Sequence, residues 1–152
     1  MRPASSLRKR RQGGNLMVEV ALTFTTFLLL TVGVIDLSYG VYGYNYCAYA
    51  AQEAARWASV HGTQSATNAN CGENSGVSQG CPATRSDISS YAKSLGVGFN
   101  ANSITVATNW IPSNAPGGEV DVTVSYSTSP LVGLVFSGNY TVSSTSRNYV
   151  VH

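Results

Sequence analysis

The chain has 152 residues, enough for one small domain and an appendage. Only 11% of the residues are charged, and the polar remainder is rich in Ser, Thr, Asn and Gly, a composition more typical of exported surface proteins than of cytosolic enzymes. Five of the nine basic residues lie in the first eleven positions, whereas from Asn15 onward four basic residues accompany seven acidic ones. A basic run such as Arg8 to Arg11 could bind nucleic acid, but an apolar stretch follows it, so we interpret it as a membrane topology signal and expect no nucleic-acid partner.

The apolar stretch from Leu16 to Ile35 contains twenty residues and a single charge. A helix needs about 20 apolar residues to cross the hydrocarbon core of a bilayer. We therefore predict a transmembrane helix over residues 15–36. Because the basic residues precede it, the leader, residues 1–14, is expected in the cytoplasm and the C-terminus outside. A buried core helix is the alternative, but core helices are usually apolar on one face only.

The helix is predicted to continue over residues 37–61, because CAYAAQEAARWASV, at positions 47–60, contains strong helix formers and neither proline nor glycine. His61-Gly62 supplies a stop, which gives one helix of about 45 residues. Small residues recur along it at spacings of three and four and are predicted to form a stripe for close packing: Ala48, Ala51, Ala55 and Ala58.

Five tyrosines lie just beyond the apolar stretch. A tyrosine ring suits the membrane boundary, where the ring is half buried and its hydroxyl is wet, so the cluster is predicted to mark the outer interface: Tyr39, Tyr42, Tyr44, Tyr46 and Tyr49. A cleaved signal peptide is the alternative, because Ala48-Tyr49-Ala50 matches a small-x-small cleavage pattern. The apolar run is long for a signal peptide, and Ala48 lies thirteen positions beyond Ile35.

Glu19 is an ionisable residue inside the apolar stretch, which makes it a functional candidate. A basic leader ending in Gly14, followed by NLMVE, resembles a type IV prepilin. The resemblance implies that a prepilin peptidase cuts between Gly14 and Asn15 on the cytoplasmic side and often methylates the new amine. It also implies that Glu19 helps subunits to enter a filament. Physically, the new α-amine of Asn15 lies one helical turn from Glu19 or reaches it from a neighbouring subunit, and a paired charge is cheaper to bury than a lone one.

Residues 62–152 are predicted to form a small α+β head domain with an antiparallel three-stranded sheet. A short helix is expected from Ser86, its possible N-cap, to Leu95, with Ile88, Tyr91, Ala92 and Leu95 on its buried face. Alternating apolar residues predict strands over Ile104–Trp110 and Val120–Tyr126 with a hairpin loop over 112–118, and a third strand over Tyr140–Val151. The run LVGLVF, residues 131–136, is predicted to be a buried turn or a contact surface.

Three cysteines are present, and outside the membrane Cys71 and Cys81, ten positions apart in a polar loop, would most simply form a disulfide. Cys47 is left over and is predicted to be a buried, small apolar residue on the alanine-rich helix. The loop contains no His and no CxxC pair, so we expect no metal site and no cofactor.

No catalytic motif is apparent. His61 and His152 are the two histidines, and Glu119 and Asp121 alternate with apolar residues, which predicts that they lie on the solvent side of a half-buried strand. We therefore expect no enzyme activity.

The whole pattern resembles the TadE/TadG-like minor pilins of tight-adherence pilus systems. The features that carry the resemblance are the prepilin-like N-terminus, Asp36 at the end of the membrane helix, the Ala-Ala-Arg-Trp step at 54–57, the short helix, and the Val-x-Val-x-Val-x-Tyr strand with Pro130-Leu131 after it. The resemblance implies a structural subunit of the bacterial inner membrane and surface pilus. The implied partners are a prepilin peptidase, other pilin subunits, membrane lipid, and an inner-membrane assembly platform with its ATPase.

Two other functions stay open at this point. The chain could be a pseudopilin of a type II secretion or DNA-uptake system, which uses the same processing in a different machine. It could also be a permanently membrane-anchored extracytoplasmic binding module. Cleavage of the N-terminus distinguishes the binding module from a minor pilin or pseudopilin, because an intact N-terminus at Met1 favours the module.

Overall fold

The structure is a computed structural model that describes residues 10–67, 81–130 and 138–151, with side chains from Gly14 onward. It has the predicted α+β layout, a long N-terminal helix and a small antiparallel three-stranded sheet. Helix α1 runs over Arg10–Val60, and internal contacts divide the chain into two compact units, Met1–Ser38 and Tyr39–His152. The predicted continuous helix is confirmed, although its first described residue is Arg10, inside the basic leader. The predicted buried turn at 131–136 lies outside the described residues.

The sheet is an antiparallel meander of β1 (Ile104–Ile111), β2 (Glu119–Thr128) and β3 (Tyr140–Tyr149), in that order. All three predicted strands are confirmed. Alternation of apolar and polar residues fixes the faces of β2, because successive side chains of a strand point to opposite sides. The side chains that point into the core are all buried: Val120, Val122, Val124 and Tyr126.

The predicted hairpin loop over residues 112–118 joins β1 to β2, because Ile111 pairs with Glu119. Gly117 has a φ of +87°, which a side chain would disfavour. The Gly118 amide donates to the Ala115 carbonyl at 3.0 Å and so closes the turn. Glycine at 117 therefore supplies the backbone freedom that this tight turn requires.

The second half of α1 packs its small residues on the sheet. Its buried face consists of Gly43, Tyr46, Cys47, Ala50, Ala51, Ala54, Ala55, Ala58 and Ser59. A Cβ added to Gly43 would lie 3.1 Å from a Tyr126 ring carbon, so the helix backbone approaches the sheet closely. The predicted alanine stripe is confirmed at Ala51, Ala55 and Ala58 and is wrong at Ala48, which is only half-buried.

Helix α2 runs over Arg85–Ser94 and begins at a capping box. Thr84 is the N-cap: its hydroxyl accepts from the Asp87 amide, and the Asp87 carboxylate accepts from the Thr84 amide at 2.9 Å. The prediction of Ser86 as N-cap is therefore wrong by two residues, because the reciprocal pair needs the acidic residue at the third helical position. The predicted buried face is confirmed at Ile88 and Ala92, with Tyr91 and Leu95 half-buried.

Helix α2 runs antiparallel to the second half of α1, as four successive contacts show. The Ala83 amide donates to the His61 carbonyl at 2.9 Å, and Tyr91 stacks on Trp57 with ring centroids 5.4 Å apart. Further along α2, the Tyr46 hydroxyl donates to the Ala92 carbonyl at 2.9 Å. Past its end, the Tyr42 hydroxyl donates to the Val97 carbonyl at 3.1 Å.

The tyrosine cluster divides between the core of the head domain and its surface. The Phe99 ring packs against three of the five tyrosine rings, with centroid distances of 6.5 Å to Tyr39, 4.9 Å to Tyr42 and 4.6 Å to Tyr46. Tyr44 and Tyr49 stay exposed. Packing within the head domain therefore occupies part of the cluster that the sequence assigned wholly to the membrane boundary.

Tyr46→Phe should lower the free energy of unfolding by about 1 kcal/mol, because it leaves the Ala92 carbonyl without its side-chain donor. The Gly96 amide, which could have bonded that carbonyl, donates to Lys93 instead. Burial raises the pKa of Tyr46 to about 12. Stability from the neutral phenol is therefore complete below the unfolded pKa near 10 and is lost as pH rises toward 12. Urea unfolding of the wild-type protein and Tyr46→Phe at pH 8 and pH 11 measures both effects. If the difference in free energy of unfolding between the two proteins is the same at both pH values, the predicted loss of stability at high pH is wrong.

Candidate processing and assembly segment

The N-terminal part of α1 exposes an apolar surface on all sides. Its most hydrophobic 18-residue stretch is 0% buried, and within the described residues α1 is the one helix long and apolar enough to cross a membrane. Thirteen large apolar side chains between positions 16 and 37 are exposed, Met17 and Leu22 among them at 77% and 69%. A core helix would bury one face, so this exposure argues against the core-helix alternative and for single-pass membrane anchoring.

Hydroxyl groups in this stretch bond to the backbone of the helix itself. Thr23, Thr25, Thr26, Thr31 and Ser38 each donate to the carbonyl four residues earlier, at 2.8–2.9 Å. In hydrocarbon a polar group without such a partner would cost several kcal/mol. The hydroxyls are therefore compatible with a lipid environment.

The Glu19 carboxylate is the exception in this stretch. Its side chain is exposed, and it shares a shallow groove along one face of the helix with Leu16, Val20, Thr23, Phe24 and Phe27. Among the residues that the structure describes, no side chain forms a hydrogen bond or ion pair with it. A carboxylate on an apolar face needs a partner from elsewhere if water is removed, because burying a lone charge is costly.

Gly14 and Asn15 lie in the fifth and sixth positions of α1 and are both exposed. A Cβ added to Gly14 would meet no atom within 4 Å, so the position is open on the helix surface. Glycine in a helix interior costs about 1 kcal/mol relative to alanine, and Gly13 precedes Gly14. This part of α1 is therefore the weakest stretch of helix before the apolar run.

Signal-peptide cleavage after Ala50 is disfavoured by the fold. Such a cut would remove Tyr46, Cys47 and Ala50, whose exposed fractions are 7%, 0% and 0%. These side chains form one side of the hydrophobic core of the head domain. The head domain therefore depends on residues that a signal peptidase would discard.

Comparison with protein families finds a match over this segment. Residues 14–56 match the family model described as TadE-like protein. This stretch of the helix is similar to TadE-like proteins. The match begins at Gly14, includes Glu19 and the apolar stretch, and ends at Arg56, one residue before Trp57. The resemblance predicted from the sequence is thus confirmed over these residues. No curated protein and no solved structure matches the chain significantly.

Cys47 lies in the contact between α1 and the sheet. It is a free thiol, fully buried, and its sulfur lies 3.6 Å from the Val142 carbonyl oxygen. Burial raises the pKa of the Cys47 thiol, which keeps it protonated and unreactive. The prediction of a buried, small residue at position 47 is confirmed.

Cys71 lies outside the described residues, so the pairing of Cys71 with Cys81 stays a prediction. Alkylation of the native protein without reductant, followed by peptide mass mapping, should find these two cysteines blocked. Cys47 should react only after denaturation, because it is buried. Modification of Cys71 and Cys81 in the native protein would contradict the disulfide.

Glu119 and Asp121 project from the sheet face opposite the valines of β2, as predicted. Arg147, directly across from Asp121 on β3, donates to its two carboxylate oxygens at 2.6 and 2.8 Å and lies 3.2 Å from Glu119. The hydrogen bonds from Arg147 lower the pKa of Asp121. The sequence did not reveal this ion pair, because it depends on strand register.

Within the described ranges no group of three or more His, Cys, Asp and Glu could hold a metal ion.

Proposed function

We propose that the protein is a minor pilin or pseudopilin of a tight-adherence type IV pilus, a structural subunit in pilus assembly and surface adhesion. The observation that carries the proposal is the apolar stretch inside the TadE-like segment, residues 16–35, which is exposed on all sides, follows Gly14 closely and holds one carboxylate, Glu19. Such a surface is insoluble alone and must be covered, either by lipid or by the helices of other subunits.

In the proposed pathway, α1 first anchors the precursor in the bacterial inner membrane, with residues 15–36 in the bilayer and the head domain outside. A prepilin peptidase then cuts between Gly14 and Asn15. The cut releases five of the chain's nine basic residues, which had held the N-terminus in the cytoplasm. Removing that charge lowers the cost of withdrawing the helix from the membrane.

Cleavage also creates a positive charge that can pair with the Glu19 carboxylate. The new α-amine of Asn15 lies four residues before Glu19, a rise of about 6 Å along a helix. The amine of a neighbouring subunit can meet the same carboxylate. Pairing in the filament core offsets part of the desolvation of both groups, and a misaligned helix would leave both unpaired. Glu19 therefore favours one axial position of each subunit.

The proposed partners follow from these steps. A prepilin peptidase acts at Gly14 and Asn15, other pilin subunits cover the apolar helix, and an inner-membrane assembly platform with its ATPase supplies the work of extraction. Membrane lipid covers the helix before assembly. We propose no cofactor for this chain, because its own part in these steps is to pack against lipid and other subunits.

The N-terminal mass of the mature protein tests the proposal. The wild-type chain should begin at Asn15, with or without one methyl group, and Gly14→Val should accumulate as full-length precursor in the membrane. Gly33→Val is the matched control, because Gly33 lies in the same helix with equally open space around it. This control should mature normally.

A wild-type chain that keeps Met1 in cells with an active prepilin peptidase would contradict the proposal. That result would instead favour the permanently anchored binding module. Normal maturation of Gly14→Val would contradict the cleavage site.

A further inference from the structure

The sheet of the head domain ends on each side in a strand with one free edge. The order β1-β2-β3 places β1 at one edge and β3 at the other. An edge strand presents N–H and C=O groups to which a strand of another chain can bond. In an antiparallel ladder every second residue bonds to the partner strand, and the residues between them direct their backbone groups away from it. The alternation therefore identifies the residues that form each free edge.

One hydrogen bond fixes this alternation on β3. The Val150 amide donates to the Gly118 carbonyl at 2.8 Å, in register with the β2–β3 ladder, so the even-numbered residues of β3 bond to β2. In agreement, the amides of Tyr149 and Val151 bond elsewhere, to the side chain of the preceding residue and to the Ser59 carbonyl. The residues of β3 that direct their backbone groups outward are Thr141, Ser143, Thr145 and Arg147.

The same alternation continues across β2 to β1. Because the even-numbered residues of β2 bond to β3, its odd-numbered residues bond to β1. Asp121 therefore bonds to Asn109, and the residues on either side of Asn109 face outward. The outward residues of β1 are Val106, Thr108 and Trp110. No described residue accepts a hydrogen bond from the amides of these residues or of the outward residues of β3.

Neither edge carries the features that usually prevent strand pairing. Proteins protect an exposed edge with proline, lysine or a bulge. The strands β1 and β3 contain neither proline nor lysine, and both pair with β2 without a break in register. The one charged residue in the two strands is Arg147, whose guanidinium bonds to Asp121 and Glu119 of β2. Its charge is therefore directed across the sheet and away from the free edge.

The two free edges suit each other as partners in two copies of the chain. Both β1 and β3 run antiparallel to β2, so they run in the same direction. Copies in one orientation can therefore lie side by side with β3 of one copy parallel to β1 of the next. Such a head-to-tail contact leaves a free β1 and a free β3 at the two ends, so further copies can add. Pairing of β3 with a second β3 would instead close after two copies.

We propose that the free edge of β3 binds the free edge of β1 in a second copy of the chain, so that the sheet continues from one head domain to the next. The choice of copies in one orientation rests on the proposed function, because the subunits of a filament all point the same way. The contact itself lies within the unit Tyr39–His152 and involves neither the cleavage site nor Glu19.

Proline substitutions test the contact, because proline lacks the N–H and is tolerated on an edge strand where that group faces outward. Thr145→Pro blocks the edge of β3, and Thr108→Pro blocks the edge of β1. The matched controls Thr145→Val and Thr108→Val keep the N–H. Both substitutions at position 145 remove the same hydroxyl contact to Thr123, and no described residue bonds to the buried Thr108 hydroxyl. Sedimentation of the full chain in excess detergent micelles gives the mass of each protein.

The wild-type protein and both valine variants should form oligomers that grow beyond dimers as the protein concentration rises. Each proline variant alone should stay monomeric, because one of the two edges is blocked in every copy. An equimolar mixture of the two proline variants should form dimers, since the free β3 of one meets the free β1 of the other. A monomeric wild-type protein or a monomeric mixture would overturn the proposal. So would oligomers of Thr108→Pro alone, which would indicate pairing of β3 with β3.

Hydrogen exchange of the wild-type protein tests the contact without any substitution. The amides of Ser143 and Thr145 should exchange severalfold more slowly at high protein concentration than in dilute monomer. The Ser144 amide, which bonds to β2, should be protected under both conditions and serves as the control. Equal exchange of Ser143 and Thr145 at both concentrations would overturn the proposal. None of these measurements depends on cleavage after Gly14, so their failure would leave the proposed function standing.

Discussion

Glu19→Ala is expected to insert into the membrane and be cleaved like the parent protein, but to be recovered poorly in filaments sheared from the cell surface. Removing an intramembrane carboxylate leaves insertion unchanged or improves it. In the proposed filament, however, the α-amine of Asn15 would lose its partner where helices exclude water. Removing one member of a buried ion pair costs about 3–5 kcal/mol, so recovery in filaments should fall at least about tenfold, the factor that 1.4 kcal/mol corresponds to.

The matched control is Thr23→Ala, one turn further along the face that carries Glu19. The Thr23 hydroxyl bonds to the Glu19 carbonyl of its own helix, so its loss removes no charge and frees no intersubunit partner. Immunoblots of sheared filaments, inner membrane and total cell protein give the ratio for each variant. If Glu19→Ala and Thr23→Ala are recovered equally in filaments, the carboxylate is a solvated residue near the cytoplasmic surface. The assembly role proposed for Glu19 would then be contradicted.

Features set by short-range periodicity were predictable from the sequence. The alternation through Val120, Val122 and Val124 fixed the inner face of β2, and the outer position of Glu119 and Asp121 followed from the same period of two. The long helix followed from the twenty-residue apolar stretch and from the absence of proline and glycine over residues 47–60. The TadE-like match falls on the same helix, since it covers residues 14–56.

Features set by tertiary contacts were not predictable. Nothing in the sequence around Phe99 predicted its contacts. Its ring stacks on Tyr42 and Tyr46 and meets Tyr126 edge-on, with ring centroids 4.7 Å apart. These contacts form because α2 runs antiparallel to α1 and so brings Phe99 back to this helix. The tyrosine spacing alone was compatible with a membrane boundary as well as with a core. Likewise, Ser86 and Thr84 are both good N-caps by residue type, and the position of Asp87 decides between them.

The sequence likewise did not determine which alanines of the stripe face the sheet. Ala48, Ala51, Ala55 and Ala58 fit a helical period, but so does the set that the sheet actually covers, in which Cys47 and Ala50 replace Ala48. Spacings of three and four allow both sets, because they differ by a small rotation about the helix axis. The approach of Gly43 to Tyr126 fixes that rotation.

Ala54→Leu should therefore destabilise the head domain strongly, and Ala48→Leu should not. Ala54 is 0% exposed in the contact between α1 and the sheet, whereas Ala48 is half-buried on the same helix. Adding atoms to a closely packed core forces side chains off their rotamers and shifts the backbone, at a cost of about 1–3 kcal/mol. A leucine at position 48 has room to turn toward solvent, so its effect should stay within about 0.5 kcal/mol.

Both variants make the same chemical change, so helix propensity and added hydrophobic area are matched between them. Urea unfolding of the full chain in detergent, followed by tryptophan fluorescence, gives the difference in free energy. Trp57 and Trp110 both pack against the core and report its loss. A loss of stability at position 48 as large as that at position 54 would mean that the helix presents the face predicted from spacing alone, with Ala48 toward the sheet.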